Sequence, residues 1–190
     1  MSEIVIDTGV GIVKPTPQIT PLPLFGHDHP LMHSEMPEYD VGTLPNHEMF
    51  NLVQRLKMTM KLYSGVGLSA NQCGEKYRVF VIGTDQFQIA CINPKIVGDT
   101  GNVVKKKEGC LSYPGLFLNL PRPDSVQVEF YDENGELQNL YLGGITAQCF
   151  QHELDHMNGI DFTEHAGPVQ MQLAKQKQAK LVKKIKRANR

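Results

Sequence analysis

The chain has 190 residues, 41% of them hydrophobic, which suits one domain built around one sizeable core. No run of about 18 apolar residues occurs, which excludes a membrane-spanning helix, and the N-terminus lacks the basic start and apolar stretch of a secretory signal. The expectation is a cytoplasmic protein with no membrane partner. A formal net charge of -1 conceals a division: residues 1–165 hold 11 Lys/Arg against 20 Asp/Glu, whereas residues 166–190 hold 8 Lys/Arg and no acid.

Residues 1–42, with "KPTPQITPLPLFGHDHPLMHSEMPEYD", show no helical or alternating periodicity and read as an extended arm with turns. From Thr43 the pattern changes. Pro45 suits a first helical turn, and apolar side chains recur at Met49, Leu52, Val53, Leu56, Met60 and Tyr63 before Ser64-Gly65. Short segments rich in β-branched and aromatic residues follow at 77–83, 87–93, 102–106, 126–131 and 137–142, with "DENG" at 132–135 as a hairpin turn. Strands so short and so closely spaced predict antiparallel pairing. Residues 145–158 read as a second helix, apolar nearly all round through Ile145, Ala147, Cys149, Phe150, Leu154 and Met157, and therefore buried. Asn158-Gly159 supplies its C-cap. Residues 168–190 place Met171, Ala174, Leu181, Val182, Ile185 and Ala188 at near-helical spacing opposite a lysine-rich face. The predicted fold is α+β in a single domain, 1–190, with short antiparallel strands around a central buried helix and a basic C-terminal helix.

The central helix carries "QHELDH" at 151–156. Residues four apart share a helix face, so His152 and His156 can offer both imidazoles to one ion while Glu153 stands beside them to handle a proton. Burying three such groups on an apolar helix is costly unless they have partners. Two imidazoles do not complete a site. The extended protease version of this pattern asks for a glycine, met by Gly159, and then for a histidine where the chain has Phe162. Asp161 is out of register, Glu164 and His165 lie too near, and no acid or histidine follows. The third ligand is therefore expected upstream. Cys110, in the turn "KKKEGCLSYPGL", is the best-placed candidate, because a thiolate with two imidazoles leaves one position open for water. His27, His29 and His33 are the rival source, on a Pro-rich arm that offers poor rigid support. The remaining cysteines, Cys73, Cys91 and Cys149, form no C-x-x-C pair and read as buried small hydrophobes.

Three separated stretches, "GVGLSANQ" at 65–72, "EGCLS" at 108–112 and "QHELDH" at 151–156, together resemble the three motifs of peptide deformylases, in the same order and at similar separations. The resemblance implies a metal-dependent hydrolase that removes the formyl group from the N-terminal methionine of newly made peptides and releases formate. It implies that Cys110, His152 and His156 bind the metal, with Glu153 as the proton-handling residue, and that Gln72 and the backbone N–H of Leu111 face the developing oxyanion. Val66 and Gly67 would pair with the substrate main chain, and Ile145, Cys149 and the aliphatic part of the "CLSYPG" loop would line the methionine pocket. Glu108 would pair with Arg122 in support of the cysteine loop. The implied ion is Fe²⁺, with Zn²⁺, Ni²⁺ or Co²⁺ able to substitute, and the basic C-terminal helix has two readings: a solvated helix packing one edge on the domain, or, as in bacterial relatives, one whose basic face meets ribosomal RNA. The chain departs from the family's usual pattern at Ser69, Asn71 and Phe117. Two other classes compete: a zinc endopeptidase, which the missing downstream ligand disfavours, and an RNA-binding protein with a structural metal, which would need neither Glu153 nor Gln72.

Overall fold

The structure is a computed structural model that describes residues 19–84 and 87–188; residues 1–18 of the expected arm lie outside the described residues. The remainder of the arm is irregular, with short 3₁₀ turns at Pro30–His33 and Val41–Thr43. Helix α1, His47–Leu62, begins two residues later than Pro45 suggests, because the side chain of Asn46 accepts the Met49 N–H at 2.8 Å and caps it. Among the described residues seven strands follow it: β1 Gly67–Ser69, β2 Val79–Gly83, β3 Gln88–Asp99, β4 Val103–Gly109, β5 Phe117–Pro123, β6 Ser125–Tyr131 and β7 Leu137–Gly143. All pairings are antiparallel, in one sheet of order β1-β2-β3-β6-β7 and a separate β4-β5 pair. Helix α2, Gly144–Met157, and helix α3, Pro168–Ala188, complete the fold.

Alternation along β2 shows how the layers stack. Val79 and Val81 point into a cluster with Met49, Leu52, Val53, Leu56 and Met60 of α1, whereas Phe80 and Ile82 point into a cluster with Ala147, Cys149 and Phe150 of α2. The sheet thus lies between two helices, and α2 is buried against its second face, with the rings of Phe80 and Phe150 edge to face at 5.1 Å. A third cluster joins Cys110, Leu118 and Leu120 to Phe162 and to Ala174 of α3, so that the β4-β5 layer closes α2 from the other side. Each fully buried large side chain in these clusters contributes about 1.5–3 kcal/mol relative to exposure.

The strand readings at 77–83, 126–131 and 137–142 correspond to β2, β6 and β7, and Asp132 and Gly135 close the hairpin turn between the last two. Four strand details differ, the first being β4, which runs three residues past the expected end at Lys106. β3 runs six residues beyond Asn93, because the register shifts near Pro94 let the strand continue past a residue that cannot donate to the ladder. β5 escapes a reading by pattern, since Pro121 and Pro123 interrupt it, and it survives as one member of a two-stranded pair. β1, three residues long, is too short for any periodicity. Ile145 also differs from expectation: it is 63% exposed, in the first turn of α2 at a cavity mouth, rather than buried. On α3, Ala174 is buried and Met171 half-buried, while Leu181 and Val182 are exposed; the side chains of Ile185 and Ala188 lie outside the described residues.

Candidate active site

Helix α2 presents its polar residues to the gap between β1 and the β4-β5 layer. Sγ of Cys110, from the turn after β4, and one ring nitrogen each of His152 and His156 all lie within 4.8 Å of one another and are buried. Cys110 Sγ is 3.3 Å from Nε2 of His156. Among the described residues no other group of three His, Cys, Asp or Glu side chains converges in this way. The arm histidines are engaged elsewhere: His33 Nε2 meets the His27 carbonyl, His29 Nδ1 accepts the Leu31 N–H, and His27 packs on Tyr113. Phe162, at the position where the protease pattern has its third ligand, packs its ring against His152 at 5.5 Å.

The donor set fits a divalent ion held by one thiolate and two imidazoles. Glu108 Oε2 accepts from His152 Nδ1 at 3.2 Å, which leaves Nε2 free to turn toward Cys110 and a metal, the carboxylate–histidine support common behind metal ligands. Arg122 grips Glu108 with two hydrogen bonds, 2.9 and 3.0 Å long, so the expected pairing of these residues is present. Burial works against the Glu108 charge, but the hydrogen bonds from His152 and Arg122 prevail and hold its carboxyl at about 2. Burial also disfavours a charged His152, yet its hydrogen bonds to Cys110 and Glu108 raise it well above the usual imidazole range. His156 goes the other way, lowered first by burial and then by the charge of His152, and as a neutral ring it keeps a lone pair to give.

A cavity of about 540 Å³ opens onto this cluster. Val66, Gly67, Gln72, Glu108, Cys110, Leu111, Ile145, Cys149, His152 and Glu153 all line it; His156 and Arg122 sit behind its wall. Glu153 is 3% exposed, and one of its carboxylate oxygens has no hydrogen-bond partner among the described residues. Burial, the leading cause, pushes it up to about 7, against the lowering effects of His152 and a hydrogen bond from Ser69. Oε1 of Gln72 accepts from Ser69 N–H and Oγ–H, both at 3.0 Å, which fixes the amide so that Nε2 points to Cys110 Sγ at 3.3 Å and Ser112 Oγ at 3.1 Å. Ser69 is therefore a support for Gln72. Asn71, a second departure, donates to the carbonyls of Leu31 and His156 and ties the arm to the end of α2. Gly67 is required by closeness: a Cβ there would collide with the Glu153 carboxylate and Cys149 Sγ. Cys149 donates to the Val66 carbonyl at 3.1 Å, while burial pushes its thiol well above the ordinary range and Cys73 up to about 12, consistent with inert packing cysteines.

Three supports carried no signal in the sequence: Tyr113, which donates to Asp161; Asp155, which receives Arg122 at 2.7 Å; and His165, which reaches Asp155 at 2.8 Å. Each lies in a turn or on a helix flank where spacing says nothing about partners.

A pair of helix-borne imidazoles, a buried glutamate and a cysteine sulfur around a substrate-sized cavity define a metal-dependent hydrolase. The family model described as Polypeptide deformylase matches residues 21–172. Peptide deformylase of Aquifex aeolicus is 40% identical over 145 residues, covering 73% of this chain and 85% of that one. Peptide deformylase 2 of Xanthomonas campestris is 32% identical over 167 residues, covering 86% and 98%. Among solved structures, a peptide deformylase from Synechococcus elongatus in complex with actinonin superposes with a TM-score of 0.77 at 31% identity, over 87% of this chain and 90% of that one. The chain belongs to the polypeptide deformylase family.

Proposed function

We propose that the chain hydrolyses the formyl group from the N-terminal methionine of nascent peptides, with Cys110, His152 and His156 as metal ligands and Glu153 as the general acid–base. The observation that carries this reading is the buried Glu153 carboxylate, raised to about 7, beside a three-ligand cluster at the floor of a cavity. A divalent ion held by Cys110, His152 and His156 would supply Lewis-acid activation of the carbonyl and of the attacking water. Glu153 takes the proton of the attacking water as its oxygen bonds to the formyl carbon. Gln72 Nε2 and the Leu111 N–H donate to the oxygen on which negative charge develops. Glu153 then returns the proton to the departing amine nitrogen as the C–N bond breaks, releasing formate and a free methionyl N-terminus.

Substrate placement follows the same geometry. The backbone of Val66 and Gly67 offers an edge to an extended peptide, because among the described residues β1 has a strand neighbour on one side only, and the methionine side chain enters between Cys149, Ile145 and Leu111. Fe²⁺ is the proposed physiological ion, with Zn²⁺, Ni²⁺ or Co²⁺ as substitutes. Its site of action is the cytoplasm, near ribosomes, where the basic face of α3 meets ribosomal RNA; no helix of the described residues is long and apolar enough to cross a membrane.

The ligand and acid–base assignments are tested separately. Glu153→Gln should keep one bound metal per chain and lose deformylation, whereas Cys110→Ser should lose or weaken the metal. A Cys110→Ser protein that retains both metal and activity contradicts the ligand set.

A further inference from the structure

A chain of polar side chains runs from the ligand cluster to the protein surface. His152 Nδ1 donates to Glu108 Oε2 at 3.2 Å, and Arg122 holds both oxygens of Glu108. The third guanidinium contact, from Nη1, goes to Asp155 Oδ2 at 2.7 Å, and that same oxygen lies 2.8 Å from Nε2 of His165. The His165 side chain is 35% exposed and that of Asp155 15%.

We propose that His165 is a positioning residue for the metal site, tightening its grip on a divalent cation through Asp155, Arg122 and Glu108. The inference rests on the reading of Cys110, His152 and His156 as ligands. A histidine ligand binds best when its far nitrogen is held by an acceptor that fixes the ring plane and raises its basicity. Here the acceptor, Glu108, is itself oriented by the two-pronged grip of Arg122. Arg122 is oriented at its other end by Asp155, whose side chain is 15% exposed and could rotate outward. The donor of His165 meets the Asp155 oxygen that Arg122 uses, so it holds the rotamer on which the rest of the chain depends.

The position of His165 is fixed too. It closes the 3₁₀ turn Phe162–His165, whose start is secured by a reciprocal cap: Asp161 accepts from the Thr163 N–H at 2.8 Å, and Glu164 accepts from the Asp161 N–H at 2.9 Å. Asp161 also accepts the hydroxyl of Tyr113, from the loop that follows Cys110. The turn that carries His165 is therefore anchored to the cysteine loop, and the chain of contacts closes on the metal cluster from both sides.

The test is the Co²⁺ dissociation constant of the purified full chain, measured by chelator competition, with the visible cobalt spectrum reporting the thiolate ligand. His165→Phe should weaken Co²⁺ binding about threefold to tenfold, less than the roughly 10–100-fold common for a residue that touches the ligand itself. His165→Gln, which restores an amide donor at similar reach, should bind within about twofold of the parent protein, and in an Asp155→Asn background His165→Phe should add less than about twofold. The KM for formyl-Met-Ala-Ser at saturating Co²⁺ should stay unchanged throughout. Parental affinity in His165→Phe, equal weakening by Gln and Phe, or full additivity with Asp155→Asn would overturn the proposal. Co²⁺ binding of parental affinity in Cys110→Ser overturns instead the ligand assignment beneath it.

Discussion

Among the described residues the other buried carboxylate near the cluster, that of Glu108, is committed to His152 and Arg122, which leaves Glu153 to move the proton. Glu153→Ala is therefore expected to lower kcat for formate release on the order of 10²–10⁴-fold with metal content unchanged. Glu108→Gln acts differently. It takes the charge from a pair whose side chains are 3% and 7% exposed and leaves Arg122 partly uncompensated, at a cost of about 3–5 kcal/mol. At about 2–4 °C per kcal/mol for a chain of this size, the unfolding midpoint should fall by about 6–20 °C in calorimetry. Gly67→Ala introduces a Cβ into the space held by Glu153 and Cys149 Sγ, and should depress kcat/KM by at least about tenfold through displacement of the acid–base, read from formate kinetics at saturating metal. His152, Glu153 and His156 were legible in the sequence because helix spacing fixes which side chains share a face. Gln72, Leu111 and Gly67 were not legible from pattern, since each works through tertiary proximity, and they entered only through resemblance.

The elements show where local pattern informs and where it fails. α1 and β2 declare themselves by periodicity, because one face or both are packed. β5 does not, because its prolines are tolerated only where the ladder bonds they cannot make are dispensable. Yet β5 supplies Arg122, and without it the support of Glu108 could not be placed. Helix α3 plays a part that its charge pattern hides: Gln178 donates to the Pro114 carbonyl at 2.8 Å, and Leu181 packs on Gly115, so the helix braces the loop that follows Cys110. Truncation at residue 175 would remove this brace along with the lysines. Reversing Lys180, Lys183 and Lys184 to glutamate separates the two effects. Such a variant should lose ribosome binding, with a shallower salt dependence, while kcat/KM on formyl-Met-Ala-Ser stays within about twofold of the parent protein; unchanged ribosome binding in sedimentation would remove α3 from that role.

At the scale of the whole molecule, the sheet fixes the distance between two loops that carry unlike chemistry. β1 brings Gly67 and Gln72 to one side of α2, the β4-β5 layer brings Cys110 and Glu108 to the other, and the burial of α2 between them raises Glu153 toward neutrality. The α+β class and the central helix followed from the sequence. The division into a five-stranded sheet and a separate pair did not, because strand order is set by long-range contacts that no local segment encodes. The endopeptidase alternative can be set against the deformylase reading in one experiment. Formyl-Met-Ala-Ser and acetyl-Met-Ala-Ser are incubated anaerobically with the Fe²⁺- or Ni²⁺-loaded chain, and formate, acetate and internal cleavage products are quantified. The account predicts formate from the formyl peptide, abolished in Glu153→Ala, with the Met-Ala bond intact; cleavage within the peptide, or no formate from the metal-loaded parent chain, would contradict it.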